Sequence, residues 1–85
     1  MDKKNKFVEI ELENLGQRLR ELRKAKGYNN YEKFAYDNDI ARAQYGRYEK
    51  GSDLRFGTLL KIIESHGLSV AEFFSEGFGE KDQEP

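Results

Sequence analysis

Residues 39–51 read DIARAQYGRYEKG. They gather two guanidinium groups (Arg42 and Arg47), two phenols (Tyr45 and Tyr48), one carboxylate (Glu49) and a glycine (Gly46), in a run of otherwise helical character. A guanidinium is a planar fork of donors that matches phosphate oxygens or the N7 and O6 atoms of a guanine. A glycine in mid-helix costs roughly 1 kcal/mol against alanine, so Gly46 needs a reason.

Catalysis finds little support. The chain has no cysteine and a single histidine, His66, so no nucleophile–base set assembles, and no cofactor or metal is expected. His66 stands beside Gly67 in IIESHGL, where a helix end is the simplest reading and a protonated imidazole would suit the helix dipole. Glu49 has no partner that would make it a general acid. The protein is read as a binding module and not as an enzyme.

Charge narrows the kind of partner. The net charge is −1 and the sequence pI about 5.9, values that argue against nucleic acid when taken whole. Between residues 16 and 61, however, eleven Lys/Arg face six Asp/Glu, a net +5. The acids collect outside that region, in Glu9, Glu11 and Glu13 and from Glu72 to Glu84. Such a distribution is basic where a polyanion could be touched and acidic elsewhere. No apolar run approaches the roughly 18 residues of a membrane span, and no leader pattern opens the chain, so a cytoplasmic protein without a membrane partner is expected.

The elements follow from spacing. With 85 residues, the chain makes one small domain. MDKKNK has nothing to bury, and FVEIELE alternates Val8, Ile10 and Leu12 with acids in strand fashion, so residues 1–11 are read as an arm. Leu12, Leu15, Leu19 and Leu22 then recur at helical spacing. Asn14 and Gln17 resemble a capping box, which predicts a helix from about residue 13 to Lys26, stopped by Gly27. Asn29 or Asn30 caps a short second helix that ends at Asn38-Asp39. The opening segment is the third helix, closed by Gly51. A fourth covers about 56–66, with Phe56, Leu59, Leu60, Ile62 and Ile63 as a broad apolar face. Ser69 and Glu72 form an S-x-x-E box for a fifth helix through Phe73 and Phe74. Five helices with short loops define an all-α bundle over 12–78, followed by an acidic tail at 79–85.

Three pieces in this order, LGQRLRELRKAKG, FAYDNDIARAQYGRYEKG and LLKIIESHGLSVAEFF, carry a resemblance. From Leu15 to Phe74 the chain resembles the helix-turn-helix domain of phage repressors and Cro, the XRE-like family. The resemblance implies a compact five-helix bundle in which Ala35, Ile40 and Tyr45 hold the second and third helices together. It implies that Arg42, Ala43, Gln44 and Arg47 meet base edges, and that Glu49 pairs with Arg23 as a strut. Asn30, Tyr31, Lys50, Ser52 and Arg55 are the candidates for phosphate contacts. The chain departs from the family pattern at Ala41, where a Ser or Thr usually caps the third helix; Asp39 is the substitute cap.

The function implied is a bacterial or phage-type transcriptional regulator, a homodimer on a palindromic site in double-stranded DNA. Phe73, Phe74 and Phe78 are the dimer candidates, with closure of the monomer's own core as the alternative for the same rings. Helical spacing puts Tyr45 and Tyr48 inward and Gly46 outward between Arg42 and Arg47, where a missing side chain would admit DNA. The rival reading is an antitoxin-like or adaptor module that uses the same bundle to bind a protein partner.

Overall fold

In the computed structural model, residues 5–79 are described. They form five helices: α1 (Lys6–Ala25), α2 (Tyr31–Asp37), α3 (Arg42–Glu49), α4 (Phe56–Ser65) and α5 (Val70–Phe73). Among the described residues there is no strand, and the chain is an all-α bundle. The first four residues of the expected arm, and residues 80–85 of the expected acidic tail, lie outside the described residues.

The strand-like alternation of residues 7–13 is helical instead. α1 begins at Lys6, capped by Asn5, whose side chain accepts from the Val8 amide at 3.2 Å. The pattern misled because Val8 and Ile10 both stay exposed in this first stretch, so no core selects between their two faces. Asn14 and Gln17 are mid-helix and cap nothing. Asn14 donates to Glu11 at 3.1 Å and Gln17 to Glu21 at 3.1 Å, both along the helix surface.

One cluster holds the bundle together: Leu15, Leu19, Phe34, Ala35, Tyr45, Tyr48, Leu59, Ile62, Ile63 and Phe73 are buried. Phe34 is its hub, edge-on to Tyr28, tilted against Tyr45 and stacked on His66 at 5.2 Å. Of the face expected on α4, Leu59, Ile62 and Ile63 enter the core, whereas Phe56 and Leu60 remain exposed. Ser69 and Glu72 form the expected reciprocal capping box on α5.

Arg18 clamps the last helix onto the first. Its Nε donates to the Phe73 carbonyl at 2.8 Å and one terminal nitrogen donates to that of Glu72 at 3.2 Å. The guanidinium lies over the Phe73 ring, 5.4 Å from its centroid. A cation on carbonyls at a helix C-terminus satisfies acceptors that the helix itself leaves free. The sequence carried a signal for this inward arginine. Arg18 falls three residues after Leu15 and four before Leu22, on the apolar stripe.

His66 does not serve as a charged cap. Burial, and then the nearby Lys26 and Arg18, hold its pKa down to about 4, and its Nε2 is buried without a hydrogen-bond partner. At neutral pH it is an uncharged ring packed on Phe34.

Candidate nucleic-acid interface

α2 and α3 are joined by residues 38–41. Asn38 turns its side-chain amide back to the Phe34 carbonyl at 2.8 Å, and Asp39 takes the left-handed conformation with φ of 63°. The Ile40 amide then returns to the Ala35 carbonyl at 2.9 Å. That bond and the buried Ala35 set α3 across α2 at close range. Asp39 does not cap α3. Ala41 occupies the N-cap with no side-chain bond, so the first amides of α3 lack a side-chain partner.

α3 divides cleanly between inside and outside. Tyr45, Gly46, Tyr48 and Glu49 are buried; Arg42, Ala43, Gln44 and Arg47 are all exposed. The four residues proposed from the resemblance therefore share the solvent side of one rigidly held helix.

Arg23 and Glu49 fix that helix to α1. Arg23 Nε donates to Glu49 Oε2 at 2.8 Å and Nη2 to Oε1 at 2.9 Å, a fork-to-fork pair with both side chains buried. A third donor, Nη1, reaches the Tyr28 carbonyl at 2.9 Å, which ties in the loop before α2. The hydrogen bonds it donates to Glu49 hold the Arg23 pKa above its ordinary value, against the cost of burial. Desolvation makes such a pair a positioning device more than a source of stability. The Tyr45 hydroxyl is buried without a hydrogen bond of normal geometry; burial first, and then the Glu49 carboxylate, hold its pKa up.

Gly46 is not on the outer face. It is buried, and a Cβ built on it would lie 2.7 Å from Tyr31 Cε1 and 3.0 Å from the Tyr31 hydroxyl. The Tyr31 ring crosses over α3 at that point and occupies the space a side chain at Gly46 would take. Helical spacing alone placed it outward, since the ring that covers it arrives from α2.

A second glycine, Gly16, also interrupts a helix. A Cβ there would meet the Glu49 carbonyl oxygen at 2.6 Å and the Tyr48 carbonyl oxygen at 2.9 Å. The backbone of α1 thus rests directly on the last turn of α3, about two turns of α1 before Arg23. The mid-helix cost of a glycine was the available signal.

The phosphate candidates fall into two groups. Tyr31 and Lys50 line a cavity of about 280 Å³ together with Arg20, Lys24, Gly46 and the Arg23–Glu49 pair. Arg20, Lys24 and Lys50 are exposed around it. Arg55 lies on the other flank, where it shares a cavity of about 470 Å³ with Gln44, Tyr48, Thr58 and one carboxylate, Asp53. Ser52 is exposed, and its amide donates to the Arg47 carbonyl at 3.0 Å. Asn30 is occupied as the cap of α2, where its side-chain oxygen accepts from the Glu32 and Lys33 amides. Only its NH₂ group stays available.

Of the dimer candidates, Phe73 is completely buried in the core and offers no surface. Phe74 is exposed and Phe78 half-buried; the Phe74 ring meets Phe73 edge-on at 4.9 Å and the Phe78 ring meets it tilted at 6.1 Å. Among the described residues no His/Cys/Asp/Glu group could hold a metal ion, and no helix is long and apolar enough to cross a membrane.

No family model matches the chain, and no curated protein or solved structure matches it.

Proposed function

We propose that this chain is a sequence-specific double-stranded DNA-binding protein that regulates transcription, a helix-turn-helix module of the phage repressor and Cro type acting as a dimer on a palindromic operator. The observation that carries the reading is the partition of α3. Its inward residues lock it to α1 and α2, while Arg42, Ala43, Gln44 and Arg47 stand together in solvent between two cation-bearing cavities. A short helix held this way fits a major groove, with Arg42 and Arg47 donating to guanine edges and Ala43 leaving room for a thymine methyl. Lys50, Arg20 and Lys24 on one flank and Arg55 on the other would then meet the two phosphate backbones and fix the register. Two copies would place two such helices in half-sites about one DNA turn apart.

Selection from a random duplex pool tests this. A palindromic motif should enrich, binding should weaken steeply with salt, and Arg47→Ala should relax the choice of base at one position by about 1–3 kcal/mol. Lys24→Ala with Lys50→Ala should instead weaken all sequences alike and, with two lysines lost from each of two copies, lower the salt slope by roughly 3.6. Absence of enrichment together with salt-independent binding would refute the proposal. The rival, an antitoxin-like or adaptor module that binds a protein partner, would draw on the apolar groove that Phe7, Val8, Leu12, Leu15, Phe74 and Phe78 line at the start of α1.

A further inference from the structure

The cavity of about 280 Å³ beside α3 carries a charge that its own lining does not balance. Arg20 and Lys24 line it from α1, Lys50 from the end of α3 and Tyr31 from the start of α2. Its one carboxylate, Glu49, has both oxygens occupied by Arg23. That buried pair is neutral, so Arg20, Lys24 and Lys50 leave the lining at a formal +3. Among the described residues these three form no ion pair, whereas Arg18 pairs with Glu76, Arg23 with Glu49 and Lys33 with Asp37. Arg20 and Lys24 also stand four residues apart on α1, and like charges at that spacing destabilise a helix. The helix dipole favours a cation in the last turn, which suits Lys24, but Arg20 lies a turn too early for it. The Tyr31 ring is half-buried with its hydroxyl against Gly46, another residue of the lining. That hydroxyl makes no hydrogen bond among the described residues.

We propose that this cavity binds a free phosphate group, that of inorganic phosphate or of a small phosphate monoester, and that its occupancy regulates the contact with DNA on this flank of α3. The donor set fits the chemistry. A guanidinium fork matches two phosphate oxygens, two ammonium groups act as compact point charges, and the phenol adds a neutral O–H donor. The size fits as well. Small-molecule sites run to roughly 300–1,000 Å³, and this hollow lies just below the lower end, enough for a phosphate with a small body. All of its donors belong to one chain and are gathered by the packing of α1, α2 and α3, so no DNA is needed to assemble them. A duplex phosphate and a free one would draw on the same Lys24 and Lys50, and each therefore displaces the other. The regulatory clause rests on the DNA-binding reading; the anion site stands without it.

A nuclear magnetic resonance titration of the full chain with sodium phosphate, chloride being exchanged to hold the ionic strength constant, tests the site. The Tyr31, Gly46 and Lys50 amide signals should shift saturably with a dissociation constant of about 1 mM. Lys24→Ala with Lys50→Ala should weaken this binding about tenfold. Tyr31→Phe, which keeps the ring over Gly46 and removes only the hydroxyl, should weaken it about fivefold. Lys26→Ala with Lys61→Ala removes as much charge from exposed positions outside the lining and should leave the affinity unchanged. On a duplex, saturating phosphate should then lower affinity beyond matched chloride for the wild type but not for Lys24→Ala with Lys50→Ala. Shifts that do not saturate, or equal losses in the two double-lysine variants, would overturn the proposal. A duplex that needs Lys24 and Lys50 while inorganic phosphate leaves the three amides unmoved would also overturn it, and would leave the DNA-binding reading intact. Saturable phosphate binding without enrichment of any duplex would support the anion site and refute the DNA-binding reading together with its regulatory clause.

Discussion

Gly16→Ala is the sharpest test of how α3 is held. The added methyl would sit 2.6 Å from the Glu49 carbonyl oxygen, 2.9 Å from its carbonyl carbon and 2.9 Å from the Tyr48 oxygen. These are backbone atoms at the end of a helix, so no rotamer change relieves the clash. To reach ordinary contact α1 and α3 must part by about 0.8 Å at this point. The same separation stretches the Arg23–Glu49 bonds, now 2.8 and 2.9 Å, because they bridge the same two helices seven residues further along α1. Overpacking costs about 1–3 kcal/mol, and backbone contact belongs at the upper end. Loosening the buried pair adds about 1 kcal/mol, and the gain in helix propensity returns about 1 kcal/mol. The net is a loss of about 3 kcal/mol, which for a domain of this size lowers the melting midpoint by roughly 12–24 °C. Thermal unfolding followed by circular dichroism reads this directly. Gly57→Ala is the control, since a Cβ there meets nothing within 4 Å, and it should be neutral or slightly stabilising. A Gly16→Ala protein as stable as the wild type would refute the close approach of α1 to α3.

Three further outcomes follow from the same packing. Arg23→Met should destabilise by about 3–5 kcal/mol in urea titration, because it strands a buried carboxylate, while Arg23→Met with Glu49→Met should recover much of that loss. Gly46→Ala should push the far end of the half-exposed Tyr31 ring aside, offsetting the gain of about 1 kcal/mol in helix propensity, and in a Tyr31→Ala background the same substitution should recover that full gain; additive effects in the double-mutant cycle would show that the ring does not cover Gly46. His66 titrates near 6.5 when unfolded and about 4 when folded, so between those values the unfolded chain binds more protons and stability falls as the pH is lowered. Allowing for its partial exposure to solvent, the loss is about 1–2 kcal/mol, complete below pH 4 and absent above 6.5. In His66→Asn the dependence across that window should flatten. The Asp37 carboxylate, held low by the Tyr28 hydroxyl and then Lys33, adds stability that is present above its unfolded pKa and is lost only as the solution becomes more acidic than the His66 window.

What was legible in the sequence is what neighbours along one chain decide. The Ser69–Glu72 box, the Asn30 cap, the Gly51 stop and the inward turn of Tyr45 and Tyr48 all depend on spacings of two to four residues, and all are present. The Arg23–Glu49 strut is a long-range contact, and it was expected only through the resemblance. The readings that failed depend on what another element brings. Asn14 would cap a helix that began at residue 13, but Asn5 lets the helix start a full two turns earlier, and no buried surface in residues 6–11 opposed the strand pattern.

The two glycines make the same point about function. Gly46 was read as a gap left open for DNA because its neighbours on α3 are exposed, yet Tyr31 fills the gap from α2. Gly16 sits in an unremarked basic helix, yet it admits the backbone that orients α3. Both positions lack a side chain so that a neighbouring element of the same chain can approach. The consequence for the proposed interface is concrete. If α3 meets DNA, its depth of entry is set by Ala43 and by the reach of Arg42, Gln44 and Arg47. Ala43→Leu should therefore impair binding while sparing stability, whereas glycine substitutions should act on stability first.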